Sequence, residues 1–307
     1  MKTPLLCAWT ILHPGHGDIT TLDVLRSWTP DPVVWLALAT MSSIYAFGVS
    51  RLWRNAGRGS GISVREATAY GAGIFSLIIA LVSPLDYLSD YSFLAHMSQH
   101  ELLMLVAAPL VALGRPAVAF FWALAPAHRR VVARTAKSPA LRTFWRALSH
   151  PVTVLVLHGA VVWIWHARVL FDAAMQSEWI HGGQHLSFFV TAVLFWWAIV
   201  FGRYGRAGYG VGVLFVFATA THTSLLGVLL TLAQHVWYAA YETRASRLGL
   251  DALDDQRLGG LVMWIPGGAT LLLACLALLL AWLGEARRRA GHATLAAHPE
   301  IPRGTPS

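Results

Sequence analysis

Only two lysines (Lys2 and Lys137) and two cysteines (Cys7 and Cys275) occur in 307 residues, and charged residues of both signs make up just 12% of the chain. Each shortage argues against a class of protein. With no C-x-x-C pair, and with its cysteines in the N-terminal tail and the last apolar run, the chain is neither a disulfide framework nor a thiol-based metal carrier. With no lysine in the last apolar run, a retinal Schiff base has no place to form there. There is no phosphate-cradling glycine loop, no hydrolytic triad and no nucleotide-fold pattern, so no enzyme is expected. There is also no internal repeat, and no low-complexity tract outside the polar C-terminal tail.

What remains is apolar: 56% hydrophobic residues, 14 Trp, 26 Gly and a mean hydropathy of +0.55. A soluble protein carries about 25% charged residues, so the composition predicts an all-α polytopic membrane protein. A spanning helix needs about 20 mostly apolar residues. Seven runs meet that length: 33–53, 65–83, 94–113, 151–168, 181–202, 209–235 and 258–283. A shorter run at 116–126 is expected at the interface. The implied organisation is an N-terminal segment (1–32) on the periplasmic or extracellular side, a seven-helix transmembrane domain (33–283) and a polar cytoplasmic tail (284–307). The start of the chain is short for a signal peptide and has no small-x-small site before His13.

A net charge of +8 would suit a nucleic-acid binder, but its distribution describes membrane topology instead, and no nucleic acid is expected. Positive residues accumulate in cytoplasmic loops. The connection 115–150 holds Arg115, Arg129, Arg130, Arg134, Lys137, Arg142 and Arg146 and no acidic residue. Most other arginines fall on the same side. Asp86, Asp90, Asp172, Glu178, Glu242, Asp251, Asp254 and Asp255 fall in the opposite loops. The pattern predicts the N-terminus outside and the C-terminus in the cytoplasm, with the basic loop also meeting anionic lipid headgroups.

That topology sorts the histidines. His96 and His100 begin the third span at its outer end, His158 and His166 lie on the fourth, His181 and His185 begin the fifth, and His222 and His235 lie on the sixth. At 100° per residue each i,i+4 pair shares a face, and Met97, Glu101 and Met104 lie within about 140° of His96. Helical geometry suggests a shallow layer of His96, His166, His181 and His235 over a deeper layer of His100, His158, His185 and His222. Imidazole suits copper, zinc, iron and nickel, and thioether leans towards Cu(I). Ionisable residues in a bilayer usually face a bundle interior or a pathway. The eight histidines are therefore candidate metal ligands, with Met97, Glu101, Met104 and Asp172 as auxiliaries. His13, His16, His128, His150, His292 and His298 lie in tails or loops.

The segments "SPLDYLSDYSFLAHMSQHELLMLVAAPLVALGRP" (83–116), "HGAVVWIWHARVLFDAAMQSEWIHGGQHLSFFVTAVLFWW" (158–197) and "DDQRLGGLVMWIPGG" (254–268) resemble, in the same order, the caa3-type cytochrome c oxidase assembly factor family, CtaG. H-M-x-Q-H followed by L-L-M is the most specific block. The resemblance implies a polytopic membrane protein that helps copper reach the catalytic subunit of a haem-copper oxidase. Its motif residues are His96, His100, His158, His166, His181 and His185.

The expected function is an assembly factor in the bacterial plasma (inner) membrane. Copper is its cargo, an oxidase subunit its partner and a periplasmic copper chaperone a possible donor. Two alternatives stand beside it. A haem-binding cytochrome would use the thirteen-residue spacing of His222 and His235, which no other span repeats. A metal-ion or proton transporter would use the deeper histidines, Glu101 and Asp172, although the cytoplasmic half lacks a continuation of such a path. "DDQRLGG" is expected to cap the last span or contact a partner, and "WIPGG" to kink it.

Overall fold

Proline and small polar caps start most of the helices. Asp31 accepts from the amides of Val33 and Val34 ahead of Pro32, opening α2 (Pro32–Ala56). Ser63 and Glu66 form a capping box for α3 (Val64–Leu81), each satisfying a donor the helix leaves free. The computed structural model describes residues 19–29, 31–202 and 208–297, with side chains as far as residue 288. Cys7, His13, His16, His298 and the outermost parts of both tails lie outside the described residues. So do Lys2, Arg203, Arg206 and Arg303, which entered the charge argument.

Among the described residues every regular element is helical. A short α1 (Thr21–Arg26) precedes α2 and α3, and α4 (Pro84–Ser89) leads to α5 (Phe93–Glu101). A π-helical turn (Leu102–Ala107) joins α5 to α6 (Ala108–Leu113), then α7 (Pro116–Ala123), α8 (Pro126–Ala136) and α9 (Pro139–Leu148) follow. Next come α10 (Pro151–Trp165), α11 (Arg168–Ala174), α12 (Glu178–Phe201), α13 (Gly208–Thr231) and α14 (Ala239–Arg244). The chain ends in α15 (Ala252–Val262), a second π-helical turn (Met263–Gly267) and α16 (Gly268–Ala297). Five helical stretches are long and apolar enough to cross a membrane, or seven if the bent pairs α5–α7 and α9–α10 each make one span. The chain is thus an all-α, multi-pass membrane protein.

Two apolar cores hold the bundle. One gathers α2, α3, α6 and α7 around Tyr45, Tyr70, Leu77 and Val111, and the other gathers α5, α10, α12, α13 and α16 around Phe188, Phe195, Phe215 and Leu271. Two glycines permit the closest approaches. A Cβ on Gly48 would collide with the Ala119 carbonyl, so α7 lies directly along α2. A Cβ on Gly260 would come within 2.7 Å of the Gly227 carbonyl, so α15 crosses α13 backbone to backbone. Small residues at such crossings are the usual means of packing helices in lipid, where apolar burial supplies little drive.

The structure differs from the sequence expectations in three places, and it packs the run at 116–126 along α2. The sixth span stops at Thr231, which leaves His235 in the connection beyond it. The last helix extends to Ala297, well into the expected polar tail. Pro266 is absorbed in a π-helical turn without a sharp bend, so Ala252–Arg288 still reads as one spanning stretch.

Candidate metal centre

α5 and α12 each present two histidines one turn apart, because i and i+4 share a helix face. Their rings meet across the bundle. His96 and His181 stack with centroids 5.2 Å apart, His100 and His185 are edge-on at 5.2 Å, and the intrahelical pairs lie at 4.3 Å (His96 and His100) and 4.2 Å (His181 and His185). One nitrogen from each of His96, His181 and His185 lies within 4.8 Å of the other two. His166, at the end of α10, completes the group, its ring 6.4 Å from that of His100.

These imidazoles are buried and short of partners. Both nitrogens of His96 and of His100, and the Nε2 atoms of His166, His181 and His185, are enclosed without a hydrogen bond. Leaving a buried polar atom unpaired costs about 1–3 kcal/mol, so seven such atoms in one place describe a site made to be filled. His166 shows how. Its Nδ1 lies 2.7 Å from the Val162 carbonyl, which can only accept, so the proton is on Nδ1 and the Nε2 lone pair is free. Fixing one nitrogen of a ligand histidine in this way is the usual outer-shell arrangement. Neutral, unpartnered imidazoles fit a transition-metal ion.

An aromatic cap closes the end of the bundle over these rings. Phe171 lies 5.2 Å and Tyr241 6.3 Å from His96, and Tyr238 stacks on both Phe171 and Phe93. Tyr238 donates to the His166 carbonyl at 3.0 Å, and Tyr241 to the Ser89 carbonyl at 2.6 Å. Arg168 and Arg244 tie the same connection down through the carbonyls of Trp237, Asp90 and Met175. Burial pushes the Tyr241 hydroxyl well above its ordinary range, which keeps it a neutral donor.

The other expected residues fall elsewhere. His158 and His222 sit further along the bundle, where His158 stacks on Phe195 and His222 lies against Gly159. The two-layer expectation is therefore redrawn: His100 and His185 join the shallow group. His235 is exposed and stays out of it, because the helix ends four residues earlier. Glu101 turns away to the second π-helical turn, its Oε2 buried, unpartnered and filling the space beside Gly267. Met97 and Met104 belong to the apolar core. Asp172 follows the cap residue Phe171 and has one buried, unpartnered oxygen.

Sequence reasoning missed the aromatic cap, because Phe93, Phe171 and the pair Tyr238 and Tyr241 come from three elements far apart in the chain, α5, α11 and α14 with its N-cap. It also missed Gln184, fully buried between His181 and His185 with both amide atoms unpaired. The "DDQ" segment is resolved as well. Asp255 accepts from Ser92 Oγ and from the amides of Phe93 and Leu94, so it caps α5 and not its own helix. Asp251 caps α15.

The profile of the family described as cytochrome c oxidase caa3 assembly factor (Caa3_CtaG) matches residues 43–285, most of the chain and all of this site. The chain belongs to that family. Proteins similar to this chain include an uncharacterized protein of Mycobacterium bovis and one of Mycobacterium tuberculosis. Each is 27% identical over 288 residues, covering 88% of this chain and 41% of the relative. An uncharacterized Mycobacterium leprae protein is 24% identical over 85% of the chain and 40% of its own length. The chain thus spans about two fifths of the curated relatives it matches. No solved structure matches it.

Proposed function

We propose that the protein is a copper-handling assembly factor for a haem-copper cytochrome c oxidase in the bacterial plasma membrane. Copper is cargo, held by His96, His181 and His185 with His100 and His166 beside them, and passed to an oxidase subunit. The observation that carries this reading is the convergence of five imidazoles, four buried and His181 half-buried, that leave seven enclosed ring nitrogens without a partner. Family membership supplies the oxidase. The charge distribution supports placing the histidine end outside and the arginine-rich α8 and α9 in the cytoplasm, which suits a periplasmic copper chaperone as donor.

The chain's own chemistry supports transient holding. Imidazole is a borderline donor that binds copper well without the permanence of thiolates. Surplus ring nitrogens around a three-histidine core let an ion change ligands stepwise. Facing rings with centroids 5.2 Å apart leave no room for a porphyrin plane between them, which favours a bare ion over haem. On this reading the protein acts as a carrier.

The test is metal content and an absorption spectrum on the same purified sample. Bound copper without an intense haem band, reduced by one ion on replacing His96 and His185 together by alanine, is the expected result. In cells lacking the protein, the oxidase should accumulate with its copper depleted. Copper binding indifferent to that double change would sink the assignment.

A further inference from the structure

Of the three candidate histidines outside the five-ring group, His235 is exposed, while His158 and His222 lie within the bundle and neither behaves as a packing residue. His158 is buried on α10, eight residues before His166, which puts it about 12 Å along the helix. Its Nδ1 lies 3.1 Å from Thr191 Oγ1 on α12. The Thr191 hydroxyl already donates to the Ser187 carbonyl at 2.8 Å, so Oγ1 can only accept here. His158 therefore carries its proton on Nδ1, which leaves the Nε2 lone pair unused. His166 is prepared in the same way one level up.

His222 comes from α13 and is stranger still. Both its nitrogens are enclosed with no hydrogen-bond partner. Its Nε2 would be 3.3 Å from a Cβ on Gly159, the residue after His158, so the missing side chain there makes the room its ring occupies. An unpaired ring in an apolar bundle is costly unless something else satisfies it.

Between the two levels stands Phe188, fully buried, its ring 4.7 Å from His100 and 6.1 Å from His166. It faces the outer group, while His158 stacks on Phe195, two turns further along α12. The histidines are thus divided by an aromatic floor.

We propose that His158 and His222 form a second metal-binding station, separate from the outer five-histidine group and suited to Cu(I). The inference deepens the copper reading above and rests on it for the identity of the ion. Two neutral imidazoles can hold Cu(I) with low coordination, whereas a divalent ion would ask for more ligands. In an apolar surrounding the single charge is also the less costly to bury. Thr191 is a positioning residue, since it fixes the His158 tautomer from behind. With two stations on one axis, an ion leaving the outer group has a defined next stop.

The test is Cu(I) stoichiometry and affinity for the full chain in detergent, measured under reductant against a coloured Cu(I) chelator. The wild type should bind two ions. His158→Ala with His222→Ala should bind one, His96→Ala with His185→Ala should keep the other, and Thr191→Val should weaken the second ion about tenfold while leaving the first unchanged. His222→Gln, which keeps volume and polarity, guards against misfolding of the double variant and should also lose one ion. A wild type that binds a single ion, lost only with His96 and His185, would overturn the second station and leave the proposed function standing. Binding of no copper at all would overturn both.

Discussion

Trp196 donates its indole N–H to the Met104 carbonyl at 2.8 Å, joining α12 to the π-helical turn behind the histidines of α5. The turn has a clear cause. Ala108 bonds back five residues to Leu103, and the next donor in that pattern would be Pro109, which has none. Met104 is thereby left with a free carbonyl in an apolar core, and the indole fills it. Trp196→Phe should lower stability by about 1–2 kcal/mol and loosen α5 against α12. Thermal unfolding in detergent reads the first effect, and weaker copper retention the second.

Asp255 reaches across 162 residues of sequence to take the Phe93 amide at 2.6 Å and Ser92 Oγ at 2.7 Å. A charged cap with three donors should contribute about 2 kcal/mol. Asp255→Ala is expected to lower the melting temperature and reduce copper binding together, because α5 carries His96 and His100. Asp254→Ala, whose only described contact is an exposed pair with Arg257, should do neither.

Asp86, in the connection before α5, gives a pH dependence of known sign. Burial pushes its carboxyl up to about 6 from 3.8, although Thr29 and Gln99 each donate to it at 2.7 Å. The folded protein therefore holds a proton on Asp86 that the unfolded chain gives up near pH 4. Stability from this group is complete below about pH 4 and lost as pH rises through about 6. Wild type minus Asp86→Asn should show that loss, on the order of 2 kcal/mol, in melting curves between pH 4 and 7.5. A difference that stays flat across the range would refute it.

The aromatic cap predicts slow exchange. Tyr238 and Tyr241 are each 1% exposed and hydrogen-bonded to carbonyls of the elements below them. Tyr241→Phe removes one such bond, worth about 1 kcal/mol, without emptying the space. Stopped-flow transfer of Cu(I) to an added chelator should become about fivefold faster, with equilibrium stoichiometry unchanged.

Helix content, the apolar runs and the shared face of each i,i+4 histidine pair were legible because each depends on short-range periodicity, whereas the meeting of the two pairs was not. His166 was placed correctly by counting from the other end of its span. His235 was misplaced because an apolar connection, Leu232–Ala233, prolongs the pattern of α13 after the helix itself has ended. Glu101 was misassigned for a different reason. Its angle around α5 is close enough to His96, but the glycine opposite, Gly267, offers it a pocket that only the folded bundle reveals. The cap and the Asp255 contact were illegible because they are set by which helices touch, and no local pattern records that.

The long reach of Asp255 also bears on the order in which the protein is made. Ribosomes release the N-terminal spans first, and α5 must wait for the last span before its amides gain their cap. Until then the helix bearing His96 and His100 is free to fray. The footing of His96 and His100 is thus laid by a segment translated 162 residues after Phe93.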